Sequence, residues 1–304
     1  MSGARLDHGS LRDGRGFIVV AVLWMLAALA ALALIYLTYV TNTAVTVAVN
    51  ADRLQEDALV NAGLELAAYR LMAQNAATRP TSGTFNARVG AGRVTVTFRS
   101  EAARIDLNMA PKPLLTGLMM GLGVSATDAP VYADRILGWR SSTEPGQDNP
   151  EDTYYRTLGV PYLPRHAPFP HSDELWLVRG IPSAVVERVL PFVTVFSNMR
   201  TVNVVDAAPQ VVAALPGMTP EKLQQVLRDR SDPNIDPRSL VTVAGNTNAT
   251  AEGSRAYRVT VAVEAPSHRR SSAEIVILLL ESGDEPYRVL SWHNAFDGSA
   301  GKPL

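Results

Sequence analysis

The sequence contains no cysteine. Thiol catalysis, thiolate metal centres and disulfide staples are therefore excluded, and an exported body must be stable through its core alone. Charge is also scarce, at 19% of residues, and nearly balanced, with a formal net charge of −1. No overall electrostatic case for nucleic acid exists. Signature motifs of catalysis are missing: there is no G-x-S-x-G elbow, no P-loop and no H-E-x-x-H pair. His8 lies near the start, and His166 and His171 flank a proline-rich turn. No enzyme class is expected. What the chain does have is apolar residues, 47% of 304, enough for about two domains.

Part of that apolar excess is one run, FIVVAVLWMLAALAALALIYL, from Phe17 to Leu37. No charged residue lies between Arg15 and Asp52. At about 1.5 Å per residue the run spans roughly 30 Å, the hydrocarbon thickness of a bilayer. A cleaved secretory signal has a shorter apolar region, about 7–15 residues, and a small-residue site after it. A buried helix is rarely apolar on every face for six turns. A membrane helix fits best. Arg5, Arg12 and Arg15 precede it, which favours a cytoplasmic N-terminus and an exported body.

The helix is expected to continue beyond the bilayer. From Thr41 to Ala76 there is no proline, and Gly63 is the sole glycine. Val47, Ala51, Leu54, Ala58, Ala62, Glu65, Tyr69 and Met72 recur at helical steps, all but Glu65 apolar. A helix of about 60 residues would be near 90 Å long, its second half packing on a soluble domain.

A basic leader, then Gly16-Phe17, then a uniform apolar helix resembles type IV pilins and the pseudopilins of type II secretion. That resemblance implies a prepilin peptidase cut between Gly16 and Phe17, with N-methylation of Phe17. Most members carry glutamate at the fifth mature position, here Ala21. A carboxylate in lipid is costly unless paired. In a fibre it can pair with a neighbour's charged N-terminus, so a subunit at the tip can lack it. The plain alternative is that Ala21 is one more apolar residue. Lacking the acid is a trait of K-type minor pseudopilins. The stretches IDLNMAPKPLL (105–115), ILGWR (136–140), DNPEDTYY (148–155), SDELWLVRG (172–180) and VNVVDAAPQVVAALPG (202–217) resemble that family in order. The resemblance implies a place at the pseudopilus tip, with I-type and J-type minor pseudopilins and the major pseudopilin as partners. It also implies an inner-membrane anchor and a periplasmic body.

The body reads as α+β: a pilin-like long N-terminal helix packed on an antiparallel sheet, with a large inserted helical domain of SAM or helix-hairpin-helix type. Thr84 to Arg99 reads as a hairpin around Gly90-Ala91-Gly92; Arg255–Ala265, Ser272–Glu281 and Tyr287–His293 read as three more strands. The expected organisation is a leader at 1–16, a membrane helix at 17–40, and pilin-like helix and hairpin at 41–100. A helical insertion with an internal repeat follows at 101–250, and C-terminal strands at 251–304. In the repeat, Asn108 and Asp206 are expected to cap helices beginning near Pro111 and Pro209, in preference to binding a ligand.

Two chemistries remain open. Gly121-Leu122-Gly123 loosely resembles a helix-hairpin-helix DNA turn, and Arg179-Gly180-Ile181-Pro182 and Pro216-Gly217-Met218 resemble two more. The last two lack the second glycine, and basic residues do not cluster near the first. Protein packing is the preferred reading, and nucleic acid is not expected as a partner. A membrane-tethered DNA-binding protein is the alternative from another class. Asp148, Asn149, Glu151 and Asp152, with Glu144 upstream, form an oxygen-rich loop. It is either a solvated acidic turn or a calcium site; the family resemblance lends support to calcium and leaves both readings open, and no other cofactor is expected. Trp139, Trp176 and Trp292 read as core or interface anchors.

Overall fold

The computed structural model describes residues 14–76, 78–142, 149–232, 234–245, 248–265 and 269–295. The chain divides into two units, one ending at Asp57 and one beginning at Ala58. Helix α1 (Gly14–Met72) is a single element of 59 residues.

In the first unit, α1 carries the one candidate membrane span among the described residues, Ile18–Asn42, none of it buried inside the protein. Leu23, Trp24, Met25 and Leu26, successive positions that go round the helix, are all exposed, as a lipid-facing segment requires. Near its end the Thr38 and Thr41 hydroxyls donate back to the carbonyls of Ile35 (2.8 Å) and Leu37 (2.9 Å), so neither is left unsatisfied in an apolar medium.

The second unit is α+β. Its five-stranded antiparallel sheet has the order β1 (Ser82–Val89), β2 (Gly92–Ser100), β7 (Ala256–Glu264), β8 (Arg270–Leu279), β9 (Tyr287–Ala295). β1 and β2 form a hairpin in which Val89 pairs with Gly92 across a two-residue turn, Gly90 taking a φ of +57°. Alternate residues of the central strands point to one face: Val94, Val96 and Phe98 of β2, Val259, Val261 and Val263 of β7, Ile275 and Ile277 of β8. Against them α1 lays Leu59, Val60, Leu64, Ala67, Ala68 and Leu71. Gly63 sits at the closest approach. A Cβ there would fall 2.6 Å from Val261 Cγ1 and 2.8 Å from Val94 Cγ1.

Between β2 and β7 lies the helical part, with its own apolar core running from Ile105 to Ala249. It is built twice. The first copy starts with β3 (Ile105–Asp106), runs through α2 (Lys112–Gly121), α3 (Asp128–Arg140), α4 (Pro150–Thr157) and α5 (Ser183–Val189), and returns as β4 (Val193–Thr194), parallel to β3. The second starts with β5 (Val202–Asn203), runs through α6 (Pro209–Ala213), α7 (Pro220–Asp229) and α8 (Pro237–Ala244), and returns as β6 (Ala249–Thr250), parallel to β5. The copies share their polar joints. Asp106 accepts from the Asn108 amide and Asn203 from the Val205 amide, each at 2.8 Å. Arg140, ending α3, donates to the Ala110 carbonyl, and Arg230, just past α7, to the Ala207 carbonyl, each at 2.7 Å. These arginines satisfy carbonyls that the turn into each helix would otherwise leave open.

The capping expectation is corrected here. No side chain caps α2 or α6. Asn108 instead makes a reciprocal pair with the Phe169 backbone, donating Nδ2 to its carbonyl (3.0 Å) and accepting from its amide at Oδ1 (2.7 Å). Asp206 Oδ1 accepts from the Ser82 hydroxyl at 2.6 Å. Proline at the first turn presets φ for α6, and the asparagine and aspartate are free to tie distant segments together.

Candidate functional site

If the chain acts by assembly, as its sequence leads one to expect, the surface to describe is the set of groups the fold leaves outward. On α1 the structure separates two apolar faces that the sequence ran together. The stripe through Leu59, Gly63/Leu64, Ala67/Ala68 and Leu71 is the one that meets the sheet. The stripe read from the sequence, through Leu54, Ala58, Tyr69 and Met72, is exposed, Leu54 at 71% and Tyr69 at 74%. Glu65 lies in that same stripe and accepts from the Tyr287 hydroxyl at 2.8 Å. Burial first, and then this carboxylate, push the Tyr287 phenol up to about 12.

Gly16 and Phe17 lie in the helical backbone of α1, and residues 1–13 are outside the described residues. Ala21 is half-exposed within the apolar span.

The acidic loop is described in part. Glu144 and Asp148 lie outside the described residues. Asn149 caps α4, its Oδ1 accepting from the Glu151 amide at 2.8 Å. Glu151 Oε1 is paired with Arg135 at 2.7 Å. Asp152 Oδ1 meets His166 Nε2 at 2.7 Å, and its Oδ2 lies 3.6 Å from Arg156. Among the described residues no group of three His, Asp or Glu side chains is placed to hold a metal. These side chains form an ion-paired helix start, and a cation at this loop would have to compete with Arg135 and His166 for the same oxygens.

The three hairpin-like turns do share a backbone property: Gly123, Gly180 and Gly217 have φ of +87°, +89° and +78°, a region that favours glycine. Around them the structure shows packing. Gly117 of α2 abuts the backbone of Ala214 after α6, and Arg188 of α5 lies over the Gly123 turn. Trp139 is buried, with Tyr155, Tyr162 and Phe169 ring centroids 5.9–6.3 Å away. Trp176 and Trp292 are exposed at 46% and 39%.

A buried polar cluster joins the sheet to the helical part and was not read from the sequence. Glu101, in the short helical turn Glu101–Ala103 after β2, accepts from Arg258 of β7 at 2.8 Å and from the Thr194 hydroxyl of β4. Arg258 also bonds Glu274 of β8. Arg258 and Glu274 each stand alone among neutral residues in the middle of β7 and β8, and alternation by itself gives them only as solvent-facing positions. Nearby, Asp106 is buried and its carboxyl is raised by that burial, against which the Asn108 and Asn198 amides and the Ser197 hydroxyl pull it down.

Residues 99–198 match the family described as type II secretion system, protein K. Among curated proteins, none matches the chain. Among solved structures, the chain is similar to one from the type 2 secretion system of enterotoxigenic Escherichia coli, the crystal structure of its GspK-GspI-GspJ complex. The identity is 17%, the TM-score 0.53, and the match covers 81% of this chain and 96% of that one. In the domain at 99–198 the chain is like protein K of type II secretion systems, its α+β fold is like that of the solved complex, and among the described residues one helix is long and apolar enough to cross a membrane.

Proposed function

We propose that this chain is a minor pseudopilin that caps the pseudopilus tip and starts its assembly, and that it is not an enzyme. The observation that carries the reading is α1, whose apolar span has no carboxylate, Ala21 included. A pilin-type acid in lipid needs a partner from the next subunit; a subunit with nothing beyond it does without. Prepilin peptidase removes residues 1–16 and the new N-terminus at Phe17 is methylated. The span holds the protein in the inner membrane, and the body lies in the periplasm. The GspK of the similar structure is in complex with GspI and GspJ. By that likeness the exposed stripe with Leu54, Tyr69 and Met72 is offered to the helices of I-type and J-type partners, and the major pseudopilin follows below.

The test is co-expression of the full chain with and without prepilin peptidase, read by mass spectrometry of the N-terminus, then co-purification with its I- and J-type partners. A mature protein beginning at Phe17 and a ternary complex weakened at least tenfold by Leu54→Glu with Tyr69→Glu are expected. An uncut leader in the presence of the peptidase, or a complex indifferent to those changes, contradicts the reading.

The same reading places calcium at the acidic loop, on Glu144, Asp148, Asn149, Glu151 and Asp152, with Asp152 drawn from His166. Calorimetric titration of the full chain should show one strong site lost in Asp152→Ala; absence of heat rejects it.

A further inference from the structure

Between the helical part and the sheet lies a cavity of about 290 Å³, with Arg104, His171, Ser172, Arg258, Ser291 and His293 on its walls. The carboxylates beside it already have side-chain neighbours. Glu101 and Glu274 are both engaged by Arg258, and Asp173 lies 3.3 Å from His171 Nδ1. Arg104 is different. Its backbone is held, the amide donating to the Glu101 carbonyl at 3.1 Å, but among the described residues its guanidinium has no hydrogen-bond acceptor and faces the cavity. Burial, and then the neighbouring Arg258, lower its proton affinity. Arg104 is half-buried, and its donors are turned beside a second cation into a space where an anion would add acceptors.

We propose that this cavity binds a small oxyanion, a phosphate or a carboxylate, held through the planar fork of Arg104. The fork offers paired N–H donors that match either group in two-point geometry. The Ser172 and Ser291 hydroxyls and the two imidazoles, whose ring centroids are 6.0 Å apart, supply further polar contacts. The volume exceeds one tetrahedral anion, so the site takes an oxyanion carrying a small organic group as readily as a free ion. The site does not depend on the tip assignment, because its residues belong to the body alone.

The test is titration of the full chain in non-ionic detergent with inorganic phosphate and, separately, citrate, chloride holding ionic strength constant, read by calorimetry and by thermal shift. Saturable binding of at least one of them is expected. It should be weakened tenfold or more in Arg104→Met and unchanged in Arg93→Met, a surface arginine of β2. Phosphate alone or citrate alone identifies the ligand chemistry. Should Arg104→Met not fold, Arg104→Lys, which keeps the charge and loses the fork, should weaken binding severalfold. No saturable binding of either anion, or binding equal in the Arg104 variant and the Arg93 variant, overturns the proposal.

Discussion

Glu101 and Arg258 meet at 2.8 Å across the seam where the sheet joins the helical part, with Glu101 only 1% exposed. Burial by itself would lower the proton affinity of Arg258; Glu101 first and Glu274 after it outweigh that, and the net shift is upward. The Thr194 hydroxyl on the second carboxylate oxygen brings β4 into the same cluster. Three segments far apart in sequence are thus tied at one carboxylate.

Breaking that pair from one side should be severe. Arg258→Met leaves a buried carboxylate without its cation and should destabilise the body by about 3–5 kcal/mol, whereas adding Glu101→Leu should recover most of the loss. Urea denaturation of the two single variants and the double variant gives the comparison. A double variant no better than Arg258→Met would show that the cost lies in lost packing.

The contact of α1 with the sheet should not tolerate a side chain at Gly63. With Val261 Cγ1 and Val94 Cγ1 inside 3 Å of an added Cβ, Gly63→Val should cost about 1–3 kcal/mol through overpacking. Combining it with Val94→Ala should return part of that cost. Thermal unfolding of the set measures both effects.

Asn108→Ala removes both bonds to the Phe169 backbone. The expected loss is about 1–3 kcal/mol, because the Phe169 amide and carbonyl lose their partner. Hydrogen exchange distinguishes this from helix capping: protection should fall at Phe169 and persist at the start of α2.

Alkaline pH should unfold the body. Tyr155, Tyr257 and Tyr287 are each raised to about 12, in every case chiefly by burial. A phenol whose folded value lies above its unfolded value of about 10 holds its proton longer in the native state. The associated stability is fully present below about pH 10 and is lost as pH rises toward 12. Phenolate absorbance should show a late group of tyrosines among the nine, and Tyr257→Phe should make the alkaline loss of stability less steep.

Some of this was legible in the sequence because the signal is local. The span from Phe17 shows itself by composition, and β2 and β7 by alternation of period two; β8 runs apolar through Ile275, Val276 and Ile277, where the ladder to β9 shifts register. The face of α1 that packs was not legible, since both Leu59-Gly63-Ala67-Leu71 and Leu54-Ala58-Tyr69-Met72 step at helical spacing and only the sheet decides between them. Asn108 misled for the same reason: capping is a local rule, whereas its partner, Phe169, is 61 residues away. Nor could periodicity disclose Glu101 and Arg258, whose pairing spans 157 residues.

The amide of Ser254 donates to the Ser100 hydroxyl at 2.8 Å, two residues 154 apart in the chain. Joining β2 to β7 therefore requires the whole intervening stretch to bring its ends together. For an unstructured chain of that length the closure entropy alone is about 4–5 kcal/mol. A helical part that has already gathered around its own core delivers both ends side by side, and the largest part of that entropic barrier disappears. The folding order expected from this is that the two short parallel ladders close early and the central sheet zips last, which the relative hydrogen-exchange protection of the two regions during refolding would check. Newly made protein whose helical part is slow to collapse should expose the edges of β2 and β7 to aggregation for as long as it waits.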